Sequence, residues 1–150
     1  MKVYLVAGEP SGDKLGAELM AGLKSCAPYE VDFCGVGGFL MEEQGLTSLF
    51  PISEIAVMGI GEILAKYSFL KKRIKNTVDD ILRLKPDVLI TIDAPEFSLR
   101  VAKMVRKKLF INTVHYVAPT VWAWRPNRAK KISSYVDHIL ALFPFEPPYM

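Results

Sequence analysis

A short apolar run, Val3-Tyr4-Leu5-Val6-Ala7, leads into Gly8-Glu9-Pro10-Ser11-Gly12-Asp13 and then into a helical pattern. A strand that turns on glycine into a helix is how an open α/β sheet begins one wall of a ligand site. Glycine lets backbone approach a ligand closely, and the helix N-terminus behind it attracts negative charge. Gly8, Ser11, Gly12 and Asp13 are therefore candidate substrate contacts. Glu9 is an acid where a simple phosphate cradle would avoid one, which suggests chemistry as well as binding. The same residues also fit a plain βα turn, with Ser11 as N-cap and Asp13 on the helix dipole. Two stricter templates fail. The stretch has no Gly-Lys-Ser/Thr ending, so it is not a P-loop, and Gly35-Val36-Gly37-Gly38 lacks the third glycine of a dinucleotide fingerprint. Gly37 reads instead as a second close backbone approach at a strand end.

Strands and helices alternate along the rest of the chain. The patterns predict strands at Lys2–Ala7, Val31–Val36, Val88–Ile92, Ile111–Val117 and His138–Leu142, with Leu49–Ile55 a short strand or extended connection. They predict helices near Gly12–Ser25, with Leu15, Leu19, Leu23 and Cys26 on one face, and near Phe39–Gln44. Further helices are expected over Gly61–Leu84 with Leu70, Ile74, Val78 and Ile81 inward, over Phe97–Lys108, and over Arg128–Tyr135. Pro86 marks the end of the long one. Such βα alternation implies a parallel sheet with helices on both faces. Functional groups should then gather at the carboxyl ends of the strands. Glu9, Gly37, Asp93-Ala94-Pro95, Ala118-Pro119 and Pro144-Phe145-Glu146 all fall there.

A chain of 150 residues is one domain's worth and long enough to bury a real core. No apolar run approaches the ~20 residues of a membrane span, and the N-terminal run is too short for a signal-peptide core. A cytoplasmic protein is expected, with Cys26 and Cys34 as reduced core thiols. No cysteine or histidine cluster suggests a metal, and no cofactor motif is present. The net charge of +3 hides a strong asymmetry. Residues 1–62 hold three Lys/Arg against nine Asp/Glu, whereas residues 63–150 hold sixteen against seven. Solvated helix faces commonly look like this, but the imbalance also suits an anionic partner: a phosphorylated ligand, a lipid surface or nucleic acid. The last has no recognised motif to support it.

Asp93 is the leading catalytic candidate. A carboxylate that directly ends a hydrophobic strand is partly desolvated and suited to general-base work. Its structural alternative is to cap the Phe97 helix, a role for which Glu96 is better placed. Trp122-Ala123-Trp124-Arg125 sits in a non-periodic stretch; it suits either a satellite core or a wall that stacks on a sugar, with Arg125 meeting an anion. His115 lies inside a strand and reads as a hydrogen-bonded core histidine. Met58, Ile60, Ile63 and Leu64, followed by Lys71, Lys72 and Arg73, read either as a core helix with a solvated basic end or as an interfacial segment beside anionic headgroups.

Together these segments resemble the lipid-A-disaccharide synthase family. The resemblance runs through Val6–Asp13, Ala56–Ile60, Lys85–Val88, Ile92–Phe97 and His115–Arg125 to Leu142–Glu146, essentially the whole chain in order. The Ile-Asp-Ala-Pro and Trp-Ala-Trp-Arg blocks are its specific parts. It implies the N-terminal, Rossmann-like half of a glycosyltransferase-B fold, with a C-terminal UDP-sugar domain absent from this chain. The implied activity joins UDP-2,3-diacylglucosamine to 2,3-diacylglucosamine 1-phosphate with inversion and without a metal, on the cytoplasmic face of the inner membrane. It further implies Asp93 as the base, Glu9 as its polar partner, and the Met58–Ser68 region as the acyl-chain entry. A non-catalytic membrane-surface module is the alternative. Family members are more than twice this length, so the 150 residues alone are expected to be inactive.

Overall fold

The computed structural model describes residues 1–56, 63–118 and 131–145, with the backbone alone for 56 and 63–66. Six parallel strands form one sheet in the order β3-β2-β1-β4-β5-β6. They are β1 (Lys2–Ala7), β2 (Asp32–Val36), β3 (Thr47–Ser48), β4 (Val88–Ile92), β5 (Asn112–Tyr116) and β6 (His138–Leu140). The helices are α1 (Pro10–Cys26), α2 (Phe39–Glu43), α3 (Ser53–Ala56), α4 (Ile63–Leu84) and α5 (Ser98–Arg106). This is the Rossmann-like architecture expected from the βα alternation.

The central strands are apolar along their whole length because both sheet faces are covered. Tyr4 and Val6 of β1 and Leu89 of β4 pack under α4 and α5, against Leu70, Ile74, Val78, Ile81 and Val101. Val3, Leu5, Ala7, Ile90 and Ile92 point the other way, onto Met20 of α1 and Met41 of α2. The four inward residues predicted for the long helix are all buried. Tyr4 ties the two layers together, since its buried hydroxyl donates to Asp80 Oδ2 of α4 at 2.9 Å. Burial first, and Asp80 second, push that phenol well above its ordinary pKa.

Several local expectations are corrected. α1 begins at Pro10, and its N-cap is Glu9 in an extended conformation, not Ser11; proline's preset φ suits the first helical position. The face of α1 nearest the sheet is built from Gly12, Asp13, Gly16 and Met20, while Leu15, Leu19 and Leu23 are partly buried. A Cβ on Gly16 would lie 2.5 Å from Met41 Sδ of α2 and 3.1 Å from Ile92 Cδ1 of β4, so α1 sits closer to both than a leucine there would allow. Cys26, at the free end of α1, is exposed and Cys34 partly buried; neither is a full core thiol. The short edge strand is Thr47–Ser48 rather than Leu49–Ile55. There Ser48 Oγ lies 2.8 Å from the Phe50 carbonyl oxygen, turning the chain, and residues Ser53–Ala56 become helical. Among the described residues no helix is long and apolar enough to cross a membrane.

Candidate functional site

The strand order reverses between β1 and β4, which are paired in register from Val3↔Val88 to Ala7↔Ile92. The connection from β1 runs towards β2 and that from β4 towards β5, so the two turns diverge and leave a crevice at the carboxyl ends. Gly8-Glu9 leaves one strand and Asp93-Ala94-Pro95 the other. A cavity of about 310 Å³ lies there, between Gly8 and Glu9 on one side and Ala94 to Phe97 on the other, with Ile55 and Leu70 completing it. Gly8 is required by this approach, since a Cβ on it would stand 2.7 Å from the Ala94 Cβ. Phe97 is buried beneath, edge-on to Phe50 with ring centres 6.4 Å apart.

Asp93 does not cap α5; Phe97 occupies that position, and Glu96 instead pairs with Arg100 at 2.6 Å. Asp93 and Ala94 both adopt left-handed backbone, with φ of 49° and 42°. Non-glycine residues rarely do so, and consecutive ones need support from their surroundings. That support is visible. The Asp93 N–H donates to the Tyr116 carbonyl at 3.0 Å, and Ser98 Oγ, fully buried, bonds the Asp93 carbonyl and lies 3.0 Å from that of Ala94. The Asp93 side chain, partly buried, receives the Ser11 hydroxyl on Oδ2 at 3.3 Å. Glu9 is exposed and makes no capping bond with its side chain.

Below this turn His115 is buried, with Nδ1 2.8 Å from Thr91 Oγ1, as expected of a core histidine. Burial pushes its imidazole down to about 4, outweighing the opposite pull of the nearby Asp93 carboxylate and the Thr91 backbone bond.

The remaining predicted residues separate. Asp13 is buried, and its carboxylate accepts N–H groups from Gly38 and Met41 on Oδ1 and from Leu40 on Oδ2. It holds the N-terminus of α2 in place. Gly12 is buried against Ala7 and Ile92. The Gly37 N–H donates to Ser48 Oγ at 3.1 Å, and Gly37 lines a second cavity with Phe39 and Leu49. Lys71 and Lys72 are exposed on α4, and Lys71 Nζ lies 4.4 Å from the centre of the exposed Tyr67 ring. Arg73 departs from that group. It pairs with Glu54 and lies over the rings of Phe50 and Phe69, facing the protein. Met58, Ile60, Trp122, Trp124, Arg125 and Glu146 lie outside the described residues, as do the side chains of Ile63 and Leu64. Ser98 was missed from sequence; its signal was the spacing of a small hydroxyl five residues after a strand-ending Asp.

Comparison with known proteins agrees with this architecture. A lipid-A-disaccharide synthetase family model matches residues 3–150. The chain is 58% identical over 150 residues to a lipid-A-disaccharide synthase of Ruegeria pomeroyi and 50% identical over 148 residues to one of Rhodospirillum centenum. It spans 37% of the length of each of these curated relatives and 100% and 98% of itself. Among solved structures, a UDP-GlcNAc 2-epimerase from Neisseria meningitidis bound to UDP-GlcNAc superimposes with a TM-score of 0.58 at 14% identity, over 94% of this chain and 40% of that one. At that identity the likeness concerns fold alone, and it fits an N-terminal half of a glycosyltransferase-B fold. A family-model match over residues 3–150 and relatives 50–58% identical across nearly every residue place this chain in the lipid-A-disaccharide synthase family.

Proposed function

We propose that these 150 residues form the acceptor-side wall of an inverting glycosyltransferase. The reaction joins UDP-2,3-diacylglucosamine to 2,3-diacylglucosamine 1-phosphate, giving lipid A disaccharide 1-phosphate and UDP. The observation that carries the reading is the Asp93 carboxylate, held on a strained, fully supported turn at the strand-order reversal. In this scheme Asp93 takes the proton of the acceptor hydroxyl as its oxygen bonds to the anomeric carbon of the donor. The bond from that carbon to UDP breaks, and UDP leaves with the electron pair. Glu9 lines the cavity beside the Asp93 turn as a polar partner, and Gly8 keeps the wall free of side-chain bulk. Trp122, Trp124 and Arg125 are proposed to complete the acceptor wall.

The donor is proposed to sit mainly on the part of the family that lies beyond this segment, so this chain alone should neither bind UDP tightly nor form disaccharide. We place the protein at the cytoplasmic face of the inner membrane, with the Met58–Leu64 region and the exposed Tyr67, Phe69, Lys71 and Lys72 meeting anionic lipid. The exposed Tyr67 ring flanked by Lys71 supports that orientation. Asp93 and Glu9 are assigned to catalysis, and Asp13 to holding α2 instead of substrate. The test is Asp93→Asn in a complete synthase containing these residues. Turnover should fall roughly 10²–10⁴-fold with the fold intact, the usual share of a general base. Near-normal turnover would remove Asp93 from that role.

A further inference from the structure

We propose that Ser11 is a positioning residue for Asp93: its hydroxyl holds Oδ2, leaving Oδ1 as the oxygen that takes the proton. The inference rests on the general-base reading of Asp93 and adds which carboxylate oxygen acts and what aims it.

Ser11 belongs to the first turn of α1 and Asp93 to the turn after β4, 82 positions apart in sequence. Their contact at 3.3 Å bridges the crevice at the point where the strand order reverses. Ser11 is free to make it because the N-cap of α1 is Glu9, with Pro10 at the start of the helix. The backbone of Asp93 is already fixed at φ 49°, by Tyr116 through its N–H and by Ser98 through its carbonyl. What remains mobile is the side chain, which turns about two bonds. Among the described residues, Ser11 is the one group that hydrogen-bonds this carboxylate. One hydroxyl supplies one proton, so among the described residues Oδ2 is engaged and Oδ1 is not. Holding a base in a productive orientation before the substrate arrives lowers the cost of reaching the transition state.

The experiment is a double-mutant cycle in a complete synthase containing these residues. It uses Ser11→Ala, Ser11→Thr, Asp93→Asn and the Ser11→Ala/Asp93→Asn pair, with kcat and KM measured separately for the acceptor. Ser11 is exposed, so Ser11→Ala should melt within a few degrees of the parent protein. The expected result is a kcat lowered roughly tenfold by Ser11→Ala with KM little changed, the scale of one hydrogen bond to a charged group. Ser11→Thr keeps the hydroxyl and should restore most of kcat. In the Asp93→Asn background, Ser11→Ala should cost nothing further, because no base is left to aim.

A raised acceptor KM at constant kcat, or an equal loss in both backgrounds, would mean that Ser11 touches substrate itself and would overturn the proposal. A silent Ser11→Ala beside a crippled Asp93→Asn overturns the positioning role while leaving the base intact. An active Asp93→Asn overturns the base reading itself, so the two failures are told apart.

Discussion

Removing the Asp13 carboxylate should unfasten α2 from the rest of the domain. The residue is 6% exposed and serves a helix whose own N-cap is Gly38, which has no side chain to offer. Asp13 supplies from α1 what a capping residue ordinarily supplies from within. Its bonds to the Gly38 and Met41 N–H groups, 2.8 and 3.1 Å, are buried, and that to Leu40, also 3.1 Å, is partly so. In Asp13→Ala the two buried donors lose their partner at about 1–3 kcal/mol each, and the side-chain void adds to that. A total loss of roughly 3–5 kcal/mol follows, a large share of the ~5–15 kcal/mol typical of a folded domain. Asp13→Asn is the sharper probe. Its carbonyl oxygen can take the Oδ1 position and keep Gly38 and Met41, while its amide faces the Leu40 N–H, donor against donor. That variant should lose about 1–2 kcal/mol. Urea unfolding followed by circular dichroism would show midpoints ordered parent, Asn, Ala at constant m. In thermal melts the Ala variant should fall by roughly 6–20 °C, at 2–4 °C per kcal/mol for this size. An Ala variant within 1 kcal/mol of the parent, or Asn and Ala variants of equal stability, would refute the assignment.

Other outcomes follow from the same geometry. Replacing Lys71 and Lys72 by Ser should weaken sedimentation with anionic vesicles by about 1 kcal/mol per charge, and equal binding would return α4 to a plain solvated helix. Arg73→Ser should behave differently: its guanidinium faces Glu54, so the variant should lose thermal stability more than vesicle affinity, and the reverse order would contradict the observed pairing. His115 is neutral in the folded chain down to about pH 4, whereas an unfolded histidine titrates near 6.5. As pH falls from about 6.5 to 4 the unfolded state binds a proton that the folded state does not, so up to about 3 kcal/mol of stability is lost across that window. His115→Gln should flatten that slope, and an unchanged slope would assign it to other groups. UDP titrated into the 150-residue chain by calorimetry should give no micromolar binding, and such binding would put the donor site in the wrong half.

How much of the fold is legible in the sequence depends on how local its cause is. β1 and β4 are continuous apolar runs that end at Gly8 and Asp93, and parallel strands covered on both faces leave that signature. α4 declared itself through Leu70, Ile74, Val78 and Ile81, a stripe with helical spacing. The two-residue β3 leaves no periodicity, so its position slipped. Tertiary partners were the least legible. Asp13 looked like a ligand group because nothing near it in sequence shows that Gly38, Leu40 and Met41 claim its oxygens. Arg73 looked like a lipid-facing cation because Glu54 lies in a separate helix. Asp93 stands out in the sequence because strand ends collect function in this architecture. Of its supports, Ser98 shows in sequence only as a hydroxyl five residues on, and the contact from Ser11, 82 positions away, does not show at all.

The register of β1 with β4 also governs when the site comes into being. Val3 meets Val88, 85 residues later, while β2, β3 and, among the described residues, four helices fill the interval. Closing so long a loop is slow relative to forming its local pieces. On a ribosome, Glu9 emerges early and waits until the chain has been extended past Ile92 before Asp93 can stand opposite it. Tyr116, which pins the Asp93 backbone, arrives later still. Until β4 has emerged, the N-terminal strand has one edge uncovered, a span in which a newborn chain is most exposed to misassociation and most in need of a chaperone.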